Sequence, residues 1–261
     1  MRYPSRIVCL TEETTETLYL LGCGDMVVGI SGFTVRPPEA RTTKPKVSTF
    51  TEADYDAIVA LEPDLVLTFS DLQAEITKEL MLRGIQVVGF NQRSVEEILR
   101  SMLIVGSLVG KSAEAETLVE RMAQGLERIR ERAYAFPFRP KVYFEEWDSP
   151  MISCIRWVSE LVEIAGAEDI FIELRARHSA RERVVEAEEV IRRNPHVIIG
   201  SWCGKRFRPE LVRARVGWDR IEAVRRNRVF EIKSSIILQP GPAALTDGVQ
   251  HLSQILERSL G

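Results

Sequence analysis

The chain has 261 residues, 45% apolar and 28% charged, the profile of a soluble globular protein. A formal net charge of −3 supplies no general field for nucleic acid or an anionic membrane. No run approaches the roughly 18 consecutive apolar residues of a membrane span, so the chain is not expected to be membrane-embedded.

In chain order, residues 6–10 are a short apolar run rich in β-formers. The polar loop Thr11-Glu12-Glu13 follows, then a helical pattern over about 14–21 closed by Gly22. A strand this early leaves five residues ahead of it, where a secretory signal needs about 15–30. The expected location is therefore cytoplasmic, or periplasmic if this is a processed form. Residues 55–61 read as a helix ended by Glu62-Pro63-Asp64, then a strand over 65–69 and the polar pair Ser70-Asp71; 86–90 is a further strand. Residues 112–134 carry Leu118, Met122, Leu126 and Ile129 at helical spacing without proline. A helix of that length spans about 30 Å or more and makes a stiff connector.

Beyond Pro137 and Pro140 the plan repeats. A strand over 141–144 meets the acidic run Glu145-Glu146-Trp147-Asp148, read as a loop, and a helix over 155–165 closed by Gly166. A helix over 187–193 ends at Asn194-Pro195-His196; a strand over 197–200, a loop over 201–205 and a strand over 228–232 follow. In both halves proline ends a helix and forces the extended exit that feeds a strand. The fold class is α/β: two Rossmann-like lobes with parallel sheets, 1–111 and 137–261, joined by one long helix at 112–136.

Ligands of open α/β sheets gather beyond the carboxyl ends of the strands. Those ends carry Thr11, Glu12 and Glu13, then Ser31-Gly32-Phe33, Phe69-Ser70-Asp71, the acidic run, Ser201-Trp202-Cys203-Gly204 and residues 234–242. Trp147 and Trp202 fall at equivalent places, which suits a flat or bulky ligand. Trp157 reads as core; the role of Trp218 stays open. The acidic run has four readings: ligand-facing, capping a helix N-terminus, a solvated loop, or binding a cation or acting as acid and base. No phosphate loop, dinucleotide fingerprint or nucleophile elbow occurs. His178, His196 and His251 are scattered, with His196 at a strand entrance. None of Cys9, Cys23, Cys154 and Cys203 forms a C-x-x-C pair; Cys9 and Cys23 read as buried thiols and Cys203 as a loop residue.

The segments RIVCLTEETTETLYLLG, VVGISGF, KVSTF, DAIVALEPDLVLTF, GIQVVGF and SVEEI, with the Pro37-Pro38 pair, resemble the cobalamin- and iron-chelate-binding proteins of ABC importers, most closely the cobalamin-binding members. The resemblance covers nearly the whole first half and the segment Asn194 to Ile199. It implies a class III binding protein, not an enzyme, holding a bulky metal chelate in the cleft between two lobes joined by one long helix. The chelate would be cobalamin or another corrinoid, with a ferric siderophore or haem as the alternative. The candidate ligand set is Glu12, Glu13, Phe33, Phe50, Phe69, Glu146, Trp147, Trp202, Cys203 and Gln239, with 237–242 closing the far side. Glu75, and Glu210 as a candidate, would dock on an ABC permease. A metal- or thiol-dependent enzyme on the same fold, using Glu145, Glu146, Asp148 and Cys203, is the competing reading.

Overall fold

The computed structural model describes residues 3–260. The chain divides into two compact units: 1–92 with 96–121, and 93–95 with 122–261.

The first unit runs β1 (Ile7–Cys9), α1 (Glu12–Leu20), β2 (Val27–Ser31), α2 (Pro38–Thr43), β3 (Lys46–Ser48), α3 (Tyr55–Ala60), β4 (Leu65–Phe69), α4 (Ala74–Leu82), β5 (Val87–Phe90) and α5 (Val95–Leu108). Its five strands are all parallel, in the order β3-β2-β1-β4-β5. β1 and β4 are buried at every position, as their unbroken apolar sequences require of central parallel strands. The connections leaving β1 and β4 run to opposite sides, so the topological switch point lies between these two strands. Helix α1 starts earlier than its apolar pattern suggests. Only Thr11 remains outside as the N-cap; Glu12 and Glu13 form the first turn, where the positive end of the helix dipole favours acidic residues.

Helix α6 (Ser112–Ala133) is unbroken and buries Leu118, Met122, Leu126 and Ile129; the division between units falls within it. The second unit continues with β6 (Lys141–Asp148), β7 (Met151–Ser153), α7 (Arg156–Ile164), β8 (Glu168–Asp169), α8 (Ala187–Arg193), β9 (Val197–Gly200), α9 (Pro209–Arg213), α10 (Glu222–Arg225), β10 (Val229–Glu231), α11 (Ser234–Ile237) and α12 (Val249–Leu260). Its sheet has the order β10-β9-β6-β7, with β8 beside the start of β6. β8 and β9 run parallel to β6, and β10 runs parallel to β9.

Two expectations change here. The acidic run is not a loop: β6 extends through it to Asp148, turns at Ser149-Pro150 and pairs antiparallel with β7. The second sheet is therefore mixed. The carboxylates tolerate a strand because each is met by a cation, as described below. The helix-to-strand device does recur in both units. α3 closes with Glu62 at φ +47° before Pro63, and α8 with Asn194 at φ +46° before Pro195. A left-handed residue ends each helix, and proline cannot continue it. The architecture is thus α/β, with two lobes joined along the chain by one long helix.

At the end of β9 a Cβ on Gly200 would lie 1.8 Å from the Phe207 ring, which packs edge-on against Trp202 at 4.9 Å. Gly200→Ala is expected to push that ring out of the core. The cost should be about 1–3 kcal/mol, read as a lower urea midpoint together with an altered near-UV spectrum.

Candidate functional site

In the first unit the strand ends are stitched together by Gln73, which is fully buried. Its Nε2 donates to the Leu10 carbonyl at 3.3 Å and the Phe50 carbonyl at 2.9 Å, while its Oε1 accepts from the Phe69 N–H at 3.0 Å. One side chain thereby ties together the exits of β1 and β4 and the loop after β3. The sequence reading missed it, because a glutamine among helix-forming residues gives no periodic signal.

Three carboxylates, Glu12, Glu13 and Glu16, are buried on the first turns of α1. The Thr11 hydroxyl donates to Glu13 Oε1 at 2.6 Å, and Arg36 pairs with Glu16 at 2.8 Å. Glu12 Oε1 and Glu13 Oε2 have no hydrogen-bond partner within the chain. Burial, reinforced by the neighbouring Glu13 charge, pushes the Glu12 carboxyl up to about 8. Burial likewise pushes Glu13 up to about 7. Of the expected aromatic contacts, Phe33 is 52% exposed, Phe50 is half-buried and Phe69 is only 4% exposed. Phe69 therefore belongs to the core, as a residue of a central strand must. Leu72, which carries no sequence signal of a ligand contact, is 59% exposed just beyond β4.

In the second unit the acidic run is neutralised residue by residue. Glu145 is fully buried and accepts from Arg215 at 2.5 and 2.9 Å, Tyr143 Oη at 3.0 Å and Trp202 Nε1 at 3.0 Å. Glu146 accepts from both terminal nitrogens of buried Arg183 at 2.7 and 3.1 Å, and from the Ile155 N–H at the start of α7 at 3.0 Å. Its capping role is realised. Asp148 holds Lys205 Nζ at 2.7 Å, and that ammonium sits 5.1 Å from the Trp147 ring and 4.9 Å from the Trp202 ring. The carboxylates read as acid, base or metal ligands are thus already held by cations. Among the described residues no group of three or more His, Cys, Asp or Glu is arranged to hold a metal ion.

The two tryptophans read as equivalent differ. Trp147 is half-buried at the strand end, with its indole N–H on the Ser149 carbonyl at 2.9 Å. Trp202 is only 2% exposed, held by Glu145 and Phe207, and its ring has no open face for a ligand. Trp157 is core and donates to the Ile237 carbonyl at 3.0 Å. Trp218 is core as well, covered by Arg215 at 4.5 Å. His196 accepts from the Lys141 N–H at 2.8 Å, a structural role at the strand entrance. Gln239 is half-buried, and Glu75 and Glu210 are exposed on α4 and α9. A separate hollow of about 620 Å³, lined by Arg130, Tyr134, Arg139, Glu160 and Glu163, opens at the amino edge of β6 rather than at the strand ends.

Cys203 is exposed, while Cys9, Cys23 and Cys154 are buried. Burial pushes the Cys9 thiol up to about 12 and raises Cys23 and Cys154 as well. Thiolate is the reactive form. Ellman's reagent is expected to modify one thiol quickly in the native chain, and peptide mapping to place it at Cys203; rapid modification of the others would contradict the burial.

The sequence matches the family described as periplasmic binding protein over residues 7–236. A Bacillus subtilis protein described as an uncharacterized ABC transporter substrate-binding lipoprotein, YvrC, is 26% identical over 96% of this chain and 79% of its own length. The vitamin B12-binding protein of Vibrio parahaemolyticus is 23% identical over 92% of this chain and 85% of its own. Among solved structures, a possible iron-binding periplasmic solute-binding protein from Staphylococcus epidermidis superposes with a TM-score of 0.84 at 22% identity, covering 98% of this chain and 99% of that one. The periplasmic heme-binding protein RhuT from Roseiflexus superposes with a TM-score of 0.81 at 20% identity, covering 96% and 98%. Among the described residues no helix is long and apolar enough to cross a membrane.

Proposed function

The chain belongs to the periplasmic binding protein family, and on that premise we propose that it is the substrate-binding component of an ABC-type uptake system for a bulky metal chelate, cobalamin or another corrinoid first. The family match, which runs through both units, carries this reading. The candidate ligand contacts are taken unit by unit: Phe33, Phe50 and Leu72 on the strand-end loops of the first, and Trp147 and Gln239 on those of the second. Trp202 supports the loop from below. Haem or an iron chelate is the second reading, favoured by what the Roseiflexus and Staphylococcus proteins are described as binding. Catalysis has no part in the proposal, since the acidic strand spends its carboxylates on Arg215, Arg183 and Lys205.

Titration with hydroxocobalamin, haemin and a ferric siderophore, followed by visible spectrum and heat, tests this. Saturable one-to-one binding of the corrinoid is expected, and Phe33→Ala should weaken it roughly tenfold or more, the worth of one aromatic ring returned to water. Binding of haemin or the siderophore alone would select the second reading. No binding of any of the three would end the chelate assignment.

Glu75 and Glu210 remain the proposed docking carboxylates for a permease. The relatives' descriptions as periplasmic and lipoprotein support the periplasmic alternative over a cytoplasmic location, and fractionation of the producing cell decides it.

A further inference from the structure

The first unit sets an unusual cluster of buried polar groups beside its switch point. Glu12 and Glu13 open helix α1 two residues after the central strand β1, with 6% and 4% of their surface exposed. Each keeps one carboxyl oxygen without a hydrogen-bond partner in the chain. Thr34, fully buried on the loop after β2, has an equally unpartnered hydroxyl. The next residue of that loop, Val35, donates its backbone N–H to the Glu12 carboxyl, so Thr34 and Glu12 are neighbours. Phe33, immediately before Thr34, is the exposed ring of the same loop. Buried acceptors are nearly always satisfied in folded proteins, and a cluster of orphans from different elements asks for donors from elsewhere.

The charges in the neighbourhood do not supply them. Arg36 is engaged by Glu16 at 2.8 Å, and Arg41 donates to the Thr34 carbonyl at 2.9 Å. Glu12 and Glu13 therefore face a loop whose arginines hydrogen-bond to Glu16 and to the Thr34 carbonyl instead. In its ionised form such a cluster attracts N–H and O–H donors and disfavours anions.

We propose that this face selects the periphery of the chelate: Glu12, Glu13 and Thr34 receive carboxamide or ammonium N–H groups of the ligand, and the same carboxylates discriminate against chelates that present carboxylates there. This rests on the chelate reading above and refines it. The protein takes amidated macrocycles in preference to acidic ones of the same shape, and Glu12 and Glu13 determine that specificity.

The test keeps the ring constant and changes only its rim. Dicyanocobinamide, whose rim is amidated, is compared with dicyanocobyrinic acid, whose rim is carboxylate, with haemin as a third ligand. At pH 9, where Glu12 and Glu13 are both ionised, the intact chain is expected to bind the amidated corrinoid roughly tenfold or more tighter than the acid. In Glu12→Gln with Glu13→Gln that ratio should fall toward one, chiefly because the acid binds better. Circular dichroism checks folding, and Glu12→Gln alone, expected to narrow the ratio part of the way, serves if the double variant does not fold. Equal binding of the two corrinoids by the intact chain, a preference for the acid, or a ratio unchanged in the variants overturns the proposal while the chelate reading stands. Binding of haemin with neither corrinoid also overturns it, since a carboxylate-bearing ligand is then taken. Binding of none of the three ends the chelate reading itself and takes this proposal with it.

Discussion

Arg215→Met is expected to lower the stability of the second unit by about 3–5 kcal/mol, a fall of roughly 10 °C or more in its thermal midpoint. The methionine fills much of the same space, so the loss is mostly electrostatic. Glu145 has no exposed surface, and its two strongest partners are the Arg215 nitrogens at 2.5 and 2.9 Å. Without them Tyr143 and Trp202 still donate, but the buried charge has no counterion. The reverse change, Glu145→Gln in the Arg215→Met background, should recover a large part of the loss. A double-mutant cycle by denaturant unfolding measures that coupling. A cost below about 1 kcal/mol would mean that the pair behaves like a solvated surface bridge.

The second large effect is a stability that falls as pH rises. Glu12 and Glu13 titrate near 8 and 7 in the folded chain against an ordinary value of 4.5. The shift is upward, so the folded state holds protons that the unfolded state has already released. The stabilisation is complete below about pH 4.5 and is lost progressively as pH climbs through the folded values. Each group contributes a slope of about 1.4 kcal/mol per pH unit within its window, a few kcal/mol in all. Glu12→Gln mimics the protonated acid. It is expected to be nearly neutral at pH 5 and clearly stabilising at pH 8. Urea midpoints of both proteins across that range provide the measurement; parallel pH profiles would show that Glu12 is ionised in the fold at no cost.

Much of this architecture is written in local patterns. β4 is visible at its observed bounds because LVLTF is an unbroken apolar run, and α8 because its periodic residues end at Asn194-Pro195. The left-handed residue before each proline leaves the same mark in both halves. What the pattern does not contain is the partner of a charge. Glu145-Glu146-Trp147-Asp148 reads as a solvated loop until Arg215, Arg183 and Lys205, which lie 70, 37 and 57 residues further on, are placed against Glu145, Glu146 and Asp148. Trp202 reads as a ligand contact for the same reason. A tryptophan after a strand can face out or in, and the direction is set by Glu145 and Phe207, which no local window includes. Gln73 stayed hidden because its three hydrogen bonds join segments distant in sequence. The place of Phe33 and Glu12 is legible without a partner: each follows a strand of the first sheet closely, and the structure puts both at its carboxyl edge.

The most direct test of the account is hydrogen–deuterium exchange of the intact chain with and without saturating hydroxocobalamin. Binding at the strand ends predicts slowed exchange in residues 31–36, 70–73, 147–156 and 201–207, with the amino-edge hollow around Arg130 and Arg139 unchanged. Protection confined to that hollow, or no protection at a ligand concentration that saturates the visible spectrum, would contradict it.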